Sequence, residues 1–149
     1  MRSVVQRVDG VRISVDGRLI SSIGKGILVF LGVERGDSVS DADYLLEKII
    51  NLRIFEDGEG KMNLSLLDIS AEMLVVSQFT LLADCRKGRR PSFIQAEEPE
   101  QARGLYEYFI GRGREKVGGV AAGEFQAMMK IEMINDGPVT VLLDSRKAF

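Results

Sequence analysis

Two spacings of apolar positions divide the chain. Residues 3–8, "SVVQRV", alternate with a period near two and predict a strand, and residues 11–24, "VRISVDGRLISSIG", predict two more joined at Asp16-Gly17. "GILVFLGV" (26–33) has no polar face before Glu34, the pattern of a strand covered on both sides. Over 40–51 the period lengthens to that of a helix. Leu45, Leu46, Ile49 and Ile50 form one stripe, and Ser40 with Asp43 has the spacing of a capping box. "EDGEGK" (56–61) reads as a loop, and a short apolar stretch (62–69) leads into a strand over 72–83, "EMLVVSQFTLLA". After the basic loop "RKGRRPS" (86–92), a second helix is expected over 99–110, with Pro99 in its first turn and Leu105, Tyr106 and Phe109 facing the core. "GRGREKVGG" (111–119) is too rich in glycine to be regular. Residues 124–144 predict two strands joined by a tight turn at Gly137-Pro138. Strands outnumber helices and do not alternate with them. The expected class is α+β, a mostly antiparallel sheet or barrel-like core with two main helices, in one domain spanning 1–149.

Composition narrows the chemistry. The 20 Lys and Arg nearly balance the 22 Asp and Glu, leaving a net charge of -2, so a polyanion would have to be held by a local patch. Histidine is absent, which removes Ser-His-Asp and Cys-His triads, His-ligated zinc and the commonest general base at neutral pH. An enzyme built from this chain must work with hydroxyls, amides, carboxylates, cations, backbone groups or its substrate's own atoms. The carboxylates show no metal spacing, and neither metal nor cofactor is expected. One cysteine, Cys85, leaves no intramolecular disulfide. No apolar run approaches the ~20 residues of a membrane span, and residues 1–10 lack a signal peptide's apolar core, so the expected place is the cytoplasm.

Three stretches carry candidate chemistry. Ser77, Gln78, Phe79 and Thr80 end an apolar strand with three hydrogen-bonding side chains around an aromatic ring. Strand geometry would put Ser77 and Phe79 on one face, Gln78 and Thr80 on the other. Either the strand simply emerges into solvent there, or it forms the rim of a pocket; a hydroxyl nucleophile would need Lys or a carboxylate as base. Arg86, Lys87, Arg89 and Arg90 set four cations around Gly88, as a solvated loop or as a phosphate-binding loop. A second, weaker basic stretch is 111–116. In "NDGPVT" (135–140), proline between two strands gives up a ladder hydrogen bond, while the glycine before it leaves room for a cis bond or an approaching ligand. Both threonines of the chain, Thr80 and Thr140, fall in these stretches.

Here the sequence resembles the D-aminoacyl-tRNA deacylases, first described as D-tyrosyl-tRNA deacylases. Their signatures Ser-Gln-Phe-Thr and Asn-x-Gly-Pro-Val-Thr stand intact at 77–80 and 135–140, and "VVQRV", "GILVFLGV", "LRIFEDGEGKMNLSL", "LVVSQFTLLAD" and "KGRRPSF" follow the family's pattern in order. The resemblance implies hydrolysis of the ester joining a D-amino acid to the terminal adenosine of tRNA, and of glycyl-tRNA mischarged on tRNA-Ala. It implies a homodimer in which a cis Gly137-Pro138 bond of one subunit enters the other's pocket and rejects L-substrates. It assigns catalysis to Ser77, Gln78, Phe79 and Thr80, with the substrate's 2′-hydroxyl assisting water and a Thr80 nucleophile as the older alternative. Phe125, Met129 and Asn135 would line the substrate pocket, and Arg86, Lys87, Arg89 and Arg90 would contact tRNA phosphates. Departures are Gln126 in place of a small residue, Met128 in place of an acid, and "VRISV" for Arg-Ala-Ser-Val. A non-catalytic RNA-binding module, stacking bases on Phe79 or Phe93, and a purely structural dimeric barrel are the competing readings.

Overall fold

The computed structural model describes residues 1–149. Eight strands and two helices follow in the order β1 (Arg2–Val15), β2 (Arg18–Ile23), β3 (Gly26–Gly32), α1 (Val39–Ile50), β4 (Phe55–Glu56), β5 (Met62–Leu64), β6 (Glu72–Ser77), α2 (Pro99–Lys116), β7 (Val120–Ala122) and β8 (Lys130–Asp144), with a 3₁₀ turn over Phe79–Leu82 after β6. The main sheet, in the order β2-β1-β3-β6-β7 with β8 on β1's other edge, is barrel-like and nearly closed; β4 and β5 form a separate hairpin. Pairing is antiparallel except for β3-β6 and β6-β7, which are parallel. No helix is long and apolar enough to cross a membrane.

The alternation of strand residues explains why two apolar clusters form. In β3 and β6, Ile27, Val29, Leu31, Met73 and Val75 face the helices and join Leu45, Leu46, Ile49, Ile50, Tyr106 and Phe109. Their neighbours Leu28, Leu74 and Val76 point the other way, to Val8, Val11, Ile13 and Ile23. The strand expected to be covered on both sides is β3, buried along nearly its whole length.

Several boundaries differ from expectation. The strands expected over 3–8 and 11–15 are one, β1, because Asp9 bulges instead of turning: Val8 opposes Asn135 while Gly10 opposes Ile134. That extra residue reverses the alternation, so Val8, Val11 and Ile13 share a face. Helix α1 begins earlier, capped by Ser38, whose backbone N–H donates to Asp41 Oδ2 at 2.9 Å. Asp43 is not a capping partner; it accepts from Tyr108 Oη at 3.1 Å and ties α1 to α2. Helix α2 runs on through 111–116 despite its glycines. At Gly113 a Cβ would lie 2.9 Å from Met73 Cε, so the missing side chain lets the helix settle on β6.

The last third does not form a hairpin. Residues 124–129 are turn, a short β7 precedes them, and 130–144 is one strand whose two halves both pair with β1. The strand expected over 72–83 stops at Ser77, where its parallel partner β3 also ends, so alternation does not govern Ser77 to Thr80.

Candidate functional site

A cavity of ≈ 650 Å³ opens where the ends of β3 and β6, the start of α2 and the 123–129 turn converge. Its wall is mostly apolar and includes Val76, Ser77, Gln78, Phe79, Tyr106, Phe125 and Met129. Tyr106 stiffens it from behind: its hydroxyl lies 2.9 Å from the Val75 carbonyl and 3.3 Å from that of Gly123, and burial pushes its pKa up to about 12. The Phe125 ring packs 5.6 Å from the Tyr106 ring.

The 77–80 segment forms the polar rim. Gln78 N–H donates to the Leu31 carbonyl at 2.8 Å, which fixes the backbone where it leaves β6. The chain then tightens into the 3₁₀ turn, whose first amides, those of Phe79 and Thr80, have no acceptor inside the turn. The Gln78 side-chain amide donates to Thr80 Oγ1. Neither Ser77 nor Thr80 has a carboxylate or amine as hydrogen-bond partner within the chain, the kind of base a hydroxyl nucleophile would need. Phe79 is 59% exposed and meets Phe93 edge-on at 5.1 Å.

The Gly137-Pro138 peptide is cis and lies in an unusual bulge. Gln6 opposes Thr140 and Val8 opposes Asn135, so four residues of β8, 136–139, stand opposite Arg7 alone. Arg7 fills and braces this bulge. Its Nε donates to the Asp136 carbonyl at 3.2 Å and pairs with Asp136 Oδ2 at 3.0 Å, while Nη1 donates to the Ile54 carbonyl at 2.6 Å. Gly137 has φ +122°, and a Cβ there would lie 2.9 Å from Val139 N and 3.1 Å from Arg7 Nη2, so both conformation and space demand glycine. Thr140 Oγ1 donates to Gln6 Oε1 at the bulge's edge. Sequence reasoning missed Arg7. A basic residue inside an alternating strand was the available signal, since buried cations are rare without partners.

The structure thus gathers Ser77, Gln78, Phe79, Phe125 and Met129 around one cavity, with Thr80 beside them. Asn135, Gly137 and Pro138 stand apart on β8 and do not line it. The basic loop projects beyond a bridge between Asp84 and Ser92. Arg86 is held there by both carboxylate oxygens of Asp84, at 2.9 and 2.7 Å, which keeps the Asp84 carboxyl well below the usual range. Lys87, Arg89 and Arg90 are exposed and without ion pairs within the chain.

A site with hydrogen-bonding groups, whose one wall carboxylate, Glu97, is already engaged by backbone N–H groups, suits a hydrolase that orients an already activated ester. The sequence matches the family described as D-Tyr-tRNA(Tyr) deacylase over residues 4–144. It is 65% identical to the D-aminoacyl-tRNA deacylase of Syntrophus aciditrophicus (strain SB) and 57% identical to that of Clostridioides difficile (strain 630), covering all of both chains in each case. Among solved structures it is similar to one named c-Myc DNA Unwinding Element Binding Protein, with TM-score 0.92 and 41% identity over 97% of this chain and 98% of that one. A probable eukaryotic D-amino acid tRNA deacylase shares the fold, with TM-score 0.81 at 18% identity over 95% and 97% of the two chains. The chain belongs to the D-Tyr-tRNA(Tyr) deacylase family and is a hydrolase.

Proposed function

We propose that the protein hydrolyses the ester between a D-amino acid and the 3′-terminal adenosine of tRNA, releasing free D-amino acid and tRNA. Water adds to the ester carbonyl; the ribose oxygen then leaves and takes up a proton. The backbone amides of Phe79 and Thr80 stabilise the developing oxyanion, and the neighbouring ribose 2′-hydroxyl positions the water. Lys87, Arg89 and Arg90 meet tRNA phosphates, while Arg86 acts as the clasp of their loop. The observation that carries this reading is the cavity rimmed by Ser77, Gln78 and Phe79, with no histidine or lysine in its wall, in a chain of this family.

Chiral selection belongs to the same proposal. In a homodimer, Gly137 and Pro138 of one copy enter the cavity of the other and present a wall that an L-side chain strikes, a specificity built on a clash as much as on contact. Two features support the arrangement. The Gly-Pro segment lies outside its own chain's cavity, and β8 is an edge strand that exposes Met133, Ile134 and Leu142. Glycine has no side chain to exclude, so glycyl-tRNA mischarged on tRNA-Ala is cleaved as well. The place of action is the cytoplasm, where charged tRNA is used.

The test is incubation of the purified protein with D-Tyr-, D-Asp-, L-Tyr- and glycyl-tRNA, following release of amino acid. Both D-esters and the glycyl ester are expected to be cleaved at rates within an order of magnitude, and the L-ester to survive. Binding of D-Tyr-tRNA without release would instead establish a non-catalytic RNA-binding module.

A further inference from the structure

The cavity has one charged residue in its wall, Glu97, whose oxygens are already engaged by the backbone N–H groups of Gly36 at 3.3 Å and Glu98 at 2.9 Å. No lysine or arginine lines it. A nucleotide seated there through its base and sugar would bring a 5′ phosphate to the mouth, where a cation is needed. Arg103, on the exposed face of α2 four residues after Pro99, stands there. Its guanidinium lies over the Phe125 ring, with Cζ 5.0 Å from the centroid, and Nη2 donates to Gln126 Oε1 at 3.4 Å. Phe125 and Gln126 are themselves parts of the cavity wall. Arg103 has no carboxylate within salt-bridge distance.

A guanidinium lying over an aromatic ring keeps its remaining N–H donors available, and it is oriented before any ligand arrives. Gln126 completes the orientation. It is held in the left-handed region at φ 64°.

We propose that Arg103, stacked on Phe125 and braced by Gln126, binds the 5′ phosphate of the terminal nucleotide whose sugar carries the scissile ester. The proposal rests on the deacylase reading for the identity of that nucleotide, and its primary test does not require activity. Adenosine and adenosine 5′-monophosphate are titrated into the wild type and into Arg103→Ala. The wild type is expected to bind the monophosphate about tenfold more tightly, the size of one charge-assisted contact. Arg103→Ala is expected to bind both as the wild type binds adenosine, and unchanged adenosine affinity certifies an intact cavity. Arg103→Lys should recover part of the preference, having the charge without the fork. Equal affinities in the wild type, or a preference that survives in Arg103→Ala, would overturn the proposal. In deacylation of D-tyrosyl adenosine esters, the variant should raise KM about tenfold only when the 5′ phosphate is present. A penalty that follows a D-aspartyl side chain on the unphosphorylated ester would overturn it too, assigning Arg103 to the amino acid. A wild type that prefers the monophosphate yet cleaves no D-aminoacyl ester would refute the deacylase reading and leave the phosphate contact standing.

Discussion

Arg7→Met removes the brace of the Gly137-Pro138 bulge while roughly keeping side-chain volume. The Ile54 carbonyl, 2.6 Å from Nη1 in a buried setting, and the Asp136 carbonyl, 3.2 Å from Nε, each lose a charged donor. Unsatisfied acceptors of this kind cost about 1–3 kcal/mol each. The Asp136 carboxylate loses its partner at 3.0 Å, but its side chain is 33% exposed and regains water, so that term is small. The sum is about 3 kcal/mol. With an m-value of about 2 kcal/mol/M for a domain of this size, the urea midpoint should fall by about 1.5 M. Loss of positioning should also slow single-turnover deacylation of D-Tyr-tRNA by about 10- to 100-fold under conditions where the variant stays folded. Arg7→Lys, with one donor site instead of a fork, should lie between. A midpoint within about 0.3 M of wild type, together with an unchanged rate, would show that the bulge holds its shape without Arg7 and would refute the argument.

Thr80→Ala should retain single-turnover deacylation within a few-fold of wild type, because Thr80 Oγ1 accepts from an amide and has no base; loss of all activity would restore the hydroxyl nucleophile. Tyr106 sets an alkaline limit. Its folded pKa of about 12 exceeds the ordinary 10, so between these values the unfolded chain has released a proton that the native one retains, and stability falls as pH rises through the window, by about 2–3 kcal/mol in all. Denaturation of Tyr106→Phe across the same window should show a correspondingly flatter decline; parallel curves would count against this assignment. Replacing Lys87, Arg89 and Arg90 together with alanine should reduce the slope of log affinity for tRNA against log salt by roughly 2–3, whereas Arg86→Ala alone should leave it nearly unchanged because Asp84 already neutralises that cation. A slope reduced equally by Arg86→Ala would mean that the clasp opens on RNA.

What the sequence disclosed is what depends on neighbours along the chain. The buried β3, the apolar stripe of α1, Pro99 at the start of α2 and the Asp16-Gly17 turn all follow from local period or local turn chemistry. The two misread glycines share one cause, a partner distant in sequence. Gly113 reads as a helix breaker until β6 supplies the Met73 side chain that its missing Cβ accommodates. Gly137-Pro138 reads as a hairpin turn until β1 pairs with both sides of it. A hairpin at 135–140 would have turned β8 back on itself and left Arg7 buried with the Ile54 carbonyl as its one acceptor. A bulge opposite Arg7 instead adds the Asp136 carboxylate and carbonyl, and it fixes the segment that the proposed reaction uses to tell one hand of an amino acid from the other. Arg7 and Asp136 therefore form a pair that neither local pattern could reveal: one residue lies in an ordinary alternating strand, the other in an ordinary turn sequence, and only the 14-residue reach of β1 brings them together.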